Sequence, residues 1–231
     1  MDHYYNFDDT GVEARAQAGD PVAQTRLGVL YARGQGKPKD YALALHWWKL
    51  ASAQGHADAM CNLGNLYDVT EDHPQDHAEA ARWYQQAAER GHRKAQYNLG
   101  IKFSHAQGLR RDMTQAARWF RAAADQGDPM AQFNFSLQCI NGEGVPKDSA
   151  LAARYLKLGA DQGDTRCLNS LAILHATGDG VPKDPVRAFA LWTVAIRKNR
   201  DVQIEGNLRH LTGTMTPRQI ELGKQAAAQI P

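Results

Sequence analysis

Unlike residue types return together through this chain at a spacing of 36 positions. A period of that length restricts a protein to architectures made by stacking copies of one small unit. Gly19, Gly55, Gly91, Gly127 and Gly163 keep the step, and so do Asp40, Asp76, Asp112, Asp148 and Asp184. It holds equally for Ala44, Ala80, Ala116, Ala152 and Ala188, for Trp47, Trp83, Trp119 and Tyr155, and for Leu27, Leu63, Leu99, Phe135 and Leu171. No insertion or deletion interrupts the five copies.

Each copy reads as two helices. In the third, Ala95, Leu99 and Phe103 lie four apart with Gly100 beside Leu99, one apolar stripe at helical period. Asp112 opens a second helix as an N-cap, with Gln115 three residues on. Ala116, Trp119, Phe120 and Ala123 form its stripe, and Gly127 ends it in the left-handed conformation that a helix C′ position often takes. Asp-Pro at 20–21, 128–129 and 184–185 places a cap before a proline whose missing N–H costs nothing at the first helical position. One helix pair has more apolar surface than it can bury alone, so neighbouring pairs supply each other's core and stack into an extended superhelix. Gly28, Gly64, Gly100, Ser136 and Ala172 share one position, where close approach of helices excludes anything larger.

The pattern A-x-x-x-L-G-x-x-Y, then G-x-G-V-x-x-D, then A-x-x-W-x-x-x-A-A-x-x-G resembles the Sel1-like repeat, a relative of the tetratricopeptide repeat, over about residues 20–199. The resemblance implies an all-α fold, a right-handed α/α superhelical solenoid. Its organisation would be an N-terminal capping segment (1–19), five repeats (20–55, 56–91, 92–127, 128–163, 164–199) and C-terminal capping helices (200–231). It also implies an adaptor that holds other macromolecules together, with no catalytic residues shared across the family. The second copy departs from the pattern, reading DVTEDHPQD where glycines belong. Some secreted members of the family bridge cysteines eight residues apart. Here the partner positions of Cys167 and Cys61 are Gly159 and Ala53, so the three cysteines form no disulfide framework. Cys139 and Cys167 fall in the register of Phe103 and Ala95 and read as small core residues.

A formal charge of +2 gives no global pull toward nucleic acid or a membrane. No apolar run approaches the roughly 18–20 residues that span a bilayer. The start, MDHYYNFDDT, is acidic and aromatic, unlike a secretory signal, and predicts a cytoplasmic location. Thr10-Gly-Val-Glu13 has the form of a capping box leading a short helix to Gly19. GNLRHLTG reads as a short helix ending in glycine, and Thr216-Pro217-Arg218-Gln219 opens a last helix through about Gln229.

In a solenoid of helix pairs the first helices line the concave surface. Counting about 100° per residue from a core-facing Ala95, positions 94, 97, 98, 101, 104 and 105 fall on the opposite arc. Three rows result: Thr25, Cys61, Tyr97, Phe133, Asn169; Arg26, Asn62, Asn98, Asn134, Ser170; and Val22, Asp58, Lys94, Met130, Arg166. Tyr97 and Phe133 are aromatic groups without core duty, beside asparagines in register. Amide side chains offer a donor and an acceptor each. The asparagines either follow the backbone of an extended peptide or bridge to neighbouring helices and loops. The candidate groove is Asn62, Asn65, Lys94, Tyr97, Asn98, His105, Phe133, Asn134, Asn141 and Arg166, and its expected occupant is a protein or an extended peptide segment. Arg82, Arg118 and Arg154 fall on the outer face of the second helices and read as solvated, and the tryptophans as packing, so no nucleic-acid surface is assigned.

The family label has been linked to antibiotic hydrolysis, which makes a hydrolase the competing reading and control of one specific partner, including neutralisation of a toxin, a third. No Ser-x-x-Lys occurs: Ser52, Ser104, Ser136, Ser149 and Ser170 are followed at the third place by Gly55, Gln107, Cys139, Ala152 and Ile173. H-E-x-x-H, G-x-S-x-G and G-x-x-x-x-G-K-[ST] are absent as well. Asp68, Glu71, Asp72, His73, Asp76, His77 and Glu79 gather in the irregular second copy. Such groups can hold a divalent cation. With Asp76 needed as a cap, the segment is read instead as a polar recognition loop, and no metal, cofactor or catalytic residue is assigned.

Overall fold

The computed structural model describes residues 11–69 and 75–230. The described residues form thirteen α-helices and no strand, the all-α class expected. They belong to two compact units that divide after Arg111, inside the third repeat. The first unit holds α1 (Val12–Gln17), α2 (Pro21–Arg33), α3 (Tyr41–Ala53), α4 (Ala57–Val69), α5 (His77–Glu89) and α6 (Arg93–His105). The second holds α7 (Met113–Asp125), α8 (Pro129–Asn141), α9 (Ser149–Asp161), α10 (Thr165–Thr177), α11 (Pro185–Lys198), α12 (Val202–Thr212) and α13 (Pro217–Ala228). Each helix packs on the next from α1 to α6 and from α7 to α12, and α13 returns to pack on α11.

The aspartate row is a row of caps. Asp40, Asp76, Asp112, Asp148 and Asp184 each accept a backbone N–H of the helix they precede, at 2.8–3.0 Å. Each satisfies donors that the first helical turn cannot pair internally. Asp20, Asp128 and Asp164 do the same for first helices, while His92 caps α6 through Nδ1. The turn glycines answer to packing. An ideal Cβ on Gly108 would lie 2.1 Å from the His77 carbonyl oxygen, and one on Gly144 2.1 Å from that of Met113. Only glycine lets the turn rest on the backbone at the start of the preceding second helix.

At Gly28 and Gly64 a ring from the second helix, rather than a helix backbone, is what excludes larger residues. Trp48 covers Gly28 and Tyr84 covers Gly64, with ring atoms 2.5 and 2.6 Å from where a Cβ would stand. Trp48, Tyr84, Phe120, Leu156 and Trp192, one register row, are all buried. Their neighbours Trp47 and Trp83 are half-buried. Buried glutamines add a staple: Gln24, Gln96 and Gln132 each donate to the carbonyl eight residues back, at 3.2 Å. Cys61, Cys139 and Cys167 are free and buried.

At the ends, Gly11 holds the N-cap position of α1 without a side-chain cap bond, and Thr10 lies outside the described residues. Thr216 and Gln219 form the capping box of α13, and Arg197 Nη2 donates to the Ala227 carbonyl at 2.9 Å. Arg82, Arg118 and Arg154 are exposed. Among the described residues no helix is long and apolar enough to cross a membrane.

Candidate functional site

In the first unit the surface of α4 and α6 is organised around a lysine in a leucine position. Lys102 shares its register with Leu30, Leu66 and Leu174 and is only 1% exposed. A buried ammonium is costly unless paired. Lys102 Nζ pairs with Asp68 Oδ1, and lies 3.3 Å from Gln107 Oε1 and 3.2 Å from His77 Nδ1. His77 Nδ1 is 2.8 Å from the same Asp68 oxygen. The apolar stripe expected through Phe103 is therefore displaced, with Phe103 half-buried and Lys102 turned inward.

Tyr84 extends this network to the surface. Burial, then the Asp68 charge, pushes its phenol well above the usual value, so the hydroxyl stays a donor. It donates to Asn65 Oδ1 at 2.8 Å, and Asn98 Nδ2 donates to the same oxygen at 3.4 Å. Asn65 and Asn98 thus meet each other through one acceptor. Lys94 is exposed, Asn62 and Tyr97 are half-buried, and exposed His105 places Nδ1 2.8 Å from Ser104 Oγ. Thr25 and Cys61, expected on the open arc, are buried. The hydroxyl of Thr25 lies 2.8 Å from His56 Nδ1, and its carbonyl accepts from Trp48 Nε1 at 3.1 Å.

Of the acidic and histidine-rich segment, Glu71, Asp72 and His73 lie outside the described residues. Asp76 caps α5 and Asp68 serves Lys102. Among the described residues no three His, Cys, Asp or Glu side chains are arranged to hold a metal.

In the second unit α8, α10 and the junction of α11 with α12 form a cleft of about 210 Å³. Phe133 is half-buried in it, with the Arg166 guanidinium 5.1 Å from its ring centroid. Arg166 Nη2 is anchored 2.6 Å from Asp164 Oδ2. Burial pushes the Asp164 carboxyl up, but the Arg166 hydrogen bond and the amides of Cys167 and Arg166 outweigh it and hold it below the usual carboxylate value.

Asn169 lines the cleft in a defined orientation. Buried Trp192 donates its indole N–H to Asn169 Oδ1 at 2.8 Å. An indole nitrogen only donates, so the contact identifies the oxygen end of the amide. The NH2 end has no hydrogen-bond partner among the described residues. Asp201 caps α12 through Oδ1, accepting from Gln203 N at 2.8 Å and Ile204 N at 3.1 Å. Thr165, Ser170, Asn199 and Ile204 complete the lining. Asn134 instead donates to the Met130 carbonyl of its own helix at 2.9 Å, and Asn141 Nδ2 lies 3.4 Å from Glu143 Oε1.

Stacked helix pairs in this register match one known family: the Sel1 repeat profile covers residues 21–56, 57–92, 93–128, 129–164 and 165–199. The chain belongs to the Sel1 repeat family. A Sel1 repeat protein from Oxalobacter formigenes is similar in structure at a TM-score of 0.81 and 30% identity, over 95% of this chain and 92% of that one. A protective antigen of uropathogenic Escherichia coli strains that displays an SLR fold matches at a TM-score of 0.85 and 30% identity, over 96% of this chain and 48% of that one. This chain spans about half the length of that E. coli protein. No curated protein matches the sequence.

Sel1 repeats commonly serve as protein-interaction scaffolds. This Sel1 repeat chain brings two of its groove candidates, Phe133 and Arg166, into one cleft with Asn169 and Ser170 of the same rows. It leaves Asn134 and Asn141 outside the cleft lining. Asp201 and Ile204 were not legible as lining, because they follow the last repeat and carry no register, and Asn199 closes that repeat in the glycine row. An aromatic anchor with oriented polar groups at its rim is what a protein-binding hot spot usually contains.

Proposed function

We propose that this Sel1 repeat protein is a non-catalytic scaffold. It holds a partner by an extended segment lying on its first helices, with the cleft between α8 and α10 as one contact. The observation that carries the reading is Phe133, half-buried and capped by Arg166, beside an Asn169 amide whose orientation Trp192 defines. On the first unit Asn62, Asn65, Lys94, Tyr97, Asn98 and His105 are assigned to a second contact, and on α8 Asn134 and Asn141 extend the first.

Capture of the partner from the native source tests this. Phe133→Ala is expected to lose capture while remaining folded. Trp119→Ala, which removes a buried ring, is expected to cost about 3–5 kcal/mol of stability. Undiminished capture by Phe133→Ala would overturn the site. Unfolding by Phe133→Ala with Trp119→Ala unaffected would overturn the assignment of faces.

A further inference from the structure

We propose that the cleft of the second unit selects a partner segment in which an apolar residue stands next to a basic one. The inference rests on the scaffold reading above and deepens it by naming the chemistry of the occupant. The apolar half follows from the floor. Phe133 and Ile204 face the cleft, and with Arg166 already lying over the phenylalanine ring the remaining space suits an aliphatic side chain.

The basic half follows from charge accounting at the rim. Arg166 is neutralised by Asp164 at 2.6 Å. Arg200, the cation next in sequence to Asp201, is held by Glu205 at 2.7 Å. Lys198 rests against Gly163, its Nζ 2.8 Å from where a Cβ would stand. Asp201 is the lining carboxylate that pairs with no cation among the described residues. Its Oδ1 is committed to two backbone amides, which leaves Oδ2 for a partner. Asn169, whose oxygen accepts from Trp192, has both NH2 donors unpaired among the described residues. Donor and carboxylate together complement a segment whose carbonyl meets the Asn169 amide and whose flanking cation meets Asp201. An acidic neighbour would instead meet an unpaired carboxylate, which disfavours it.

Three peptides separate the outcomes: acetyl-Gly-Lys-Leu-Lys-Gly-amide and its counterparts with glutamine or glutamate in place of lysine. Each is titrated into the ¹⁵N-labelled protein while the Trp192 indole N–H and the Asn169 side-chain NH2 signals are followed. The lysine peptide is expected to move both signals and to bind roughly two- to five-fold tighter than the glutamine peptide, the range of an exposed charge pair. The glutamate peptide is expected to be the weakest. Asp201→Asn keeps a capping side chain on α12 and is expected to level the three affinities. Equal binding of all three by the wild-type protein, or a lysine preference that survives Asp201→Asn, would overturn the basic-residue assignment while leaving the cleft a protein site. If none of the peptides moves either signal, the cleft itself fails, and the scaffold reading loses its principal contact.

Discussion

One register row ends differently in the two units. In the first, Tyr84 lies on Gly64 and gives its hydroxyl proton to Asn65, whose oxygen also receives Asn98. Behind it the buried Lys102 draws on Asp68, His77 and Gln107. In the second, Trp192 holds Asn169 by its oxygen and leaves the amide donors toward a cleft. Leu174 stands where Lys102 stood. In the first unit the asparagine oxygen joins two asparagines and a tyrosine, whereas in the second it meets a single indole. The lesson is that surface asparagines of the first helices are not equivalent until their hydrogen-bond partners are known.

The comparison breaks most visibly at the ion pair. Asp68→Ala strands the Lys102 charge and is expected to cost about 3–5 kcal/mol in denaturant unfolding. Lys102→Leu combined with Asp68→Asn returns the core to the leucine pattern and is expected to be neutral or stabilising. A small cost for Asp68→Ala would mean that the first unit is not built on this pair.

A second contrast lies between paired positions of second and first helices. Ala51 with Ala59, Ala87 with Ala95 and, in the second unit, Ala123 with Ala131 are alanine pairs in register, but Gly159 faces Cys167. An ideal Cβ on Gly159 would stand 2.4 Å from Cys167 Sγ, so the larger thiol fills space that the missing methyl leaves. Gly159→Ala is expected to cost about 1–3 kcal/mol, as overpacking does. Adding Cys167→Ala restores the alanine pair and should recover most of that loss. Additive effects in the double-mutant cycle would disprove the coupling.

The smallest expected effect is at Ala106, which caps α6 at φ 57 where Gly34, Gly142 and Gly178 cap their own first helices. A left-handed alanine is strained, so Ala106→Gly should stabilise by about 1 kcal/mol. A fall in the unfolding midpoint would contradict it.

Repeats, helix pairs and aspartate caps were legible in the sequence because they rest on local geometry and on side chains that bond to nearby backbone. Lys102 was legible only in part. The column Leu30, Leu66, Lys102, Gln138, Leu174 exposes the exception, but its partners Asp68 and His77 belong to another repeat. Gln138 in the same column is buried, and its side-chain amide has no hydrogen-bond partner among the described residues. Nothing in the structure explains that choice. Phe133 and Arg166 stood out as aromatic and cationic residues at open positions. Their cleft did not, because Asp201 and Ile204 reach it from beyond the last repeat and Asn199 from its final position.

Matched substitutions at Asn65 and Asn169 test the contrast most directly. An aspartate at either place keeps an acceptor for Tyr84 or Trp192 and removes the amide donors. Both variants are compared with wild type for partner capture, at a temperature where all three are folded. On this account Asn169→Asp is expected to lose capture, whereas Asn65→Asp, at the second contact and with its oxygen already serving Tyr84 and Asn98, is expected to weaken it far less. Capture retained by Asn169→Asp, or lost by Asn65→Asp alone, would contradict it.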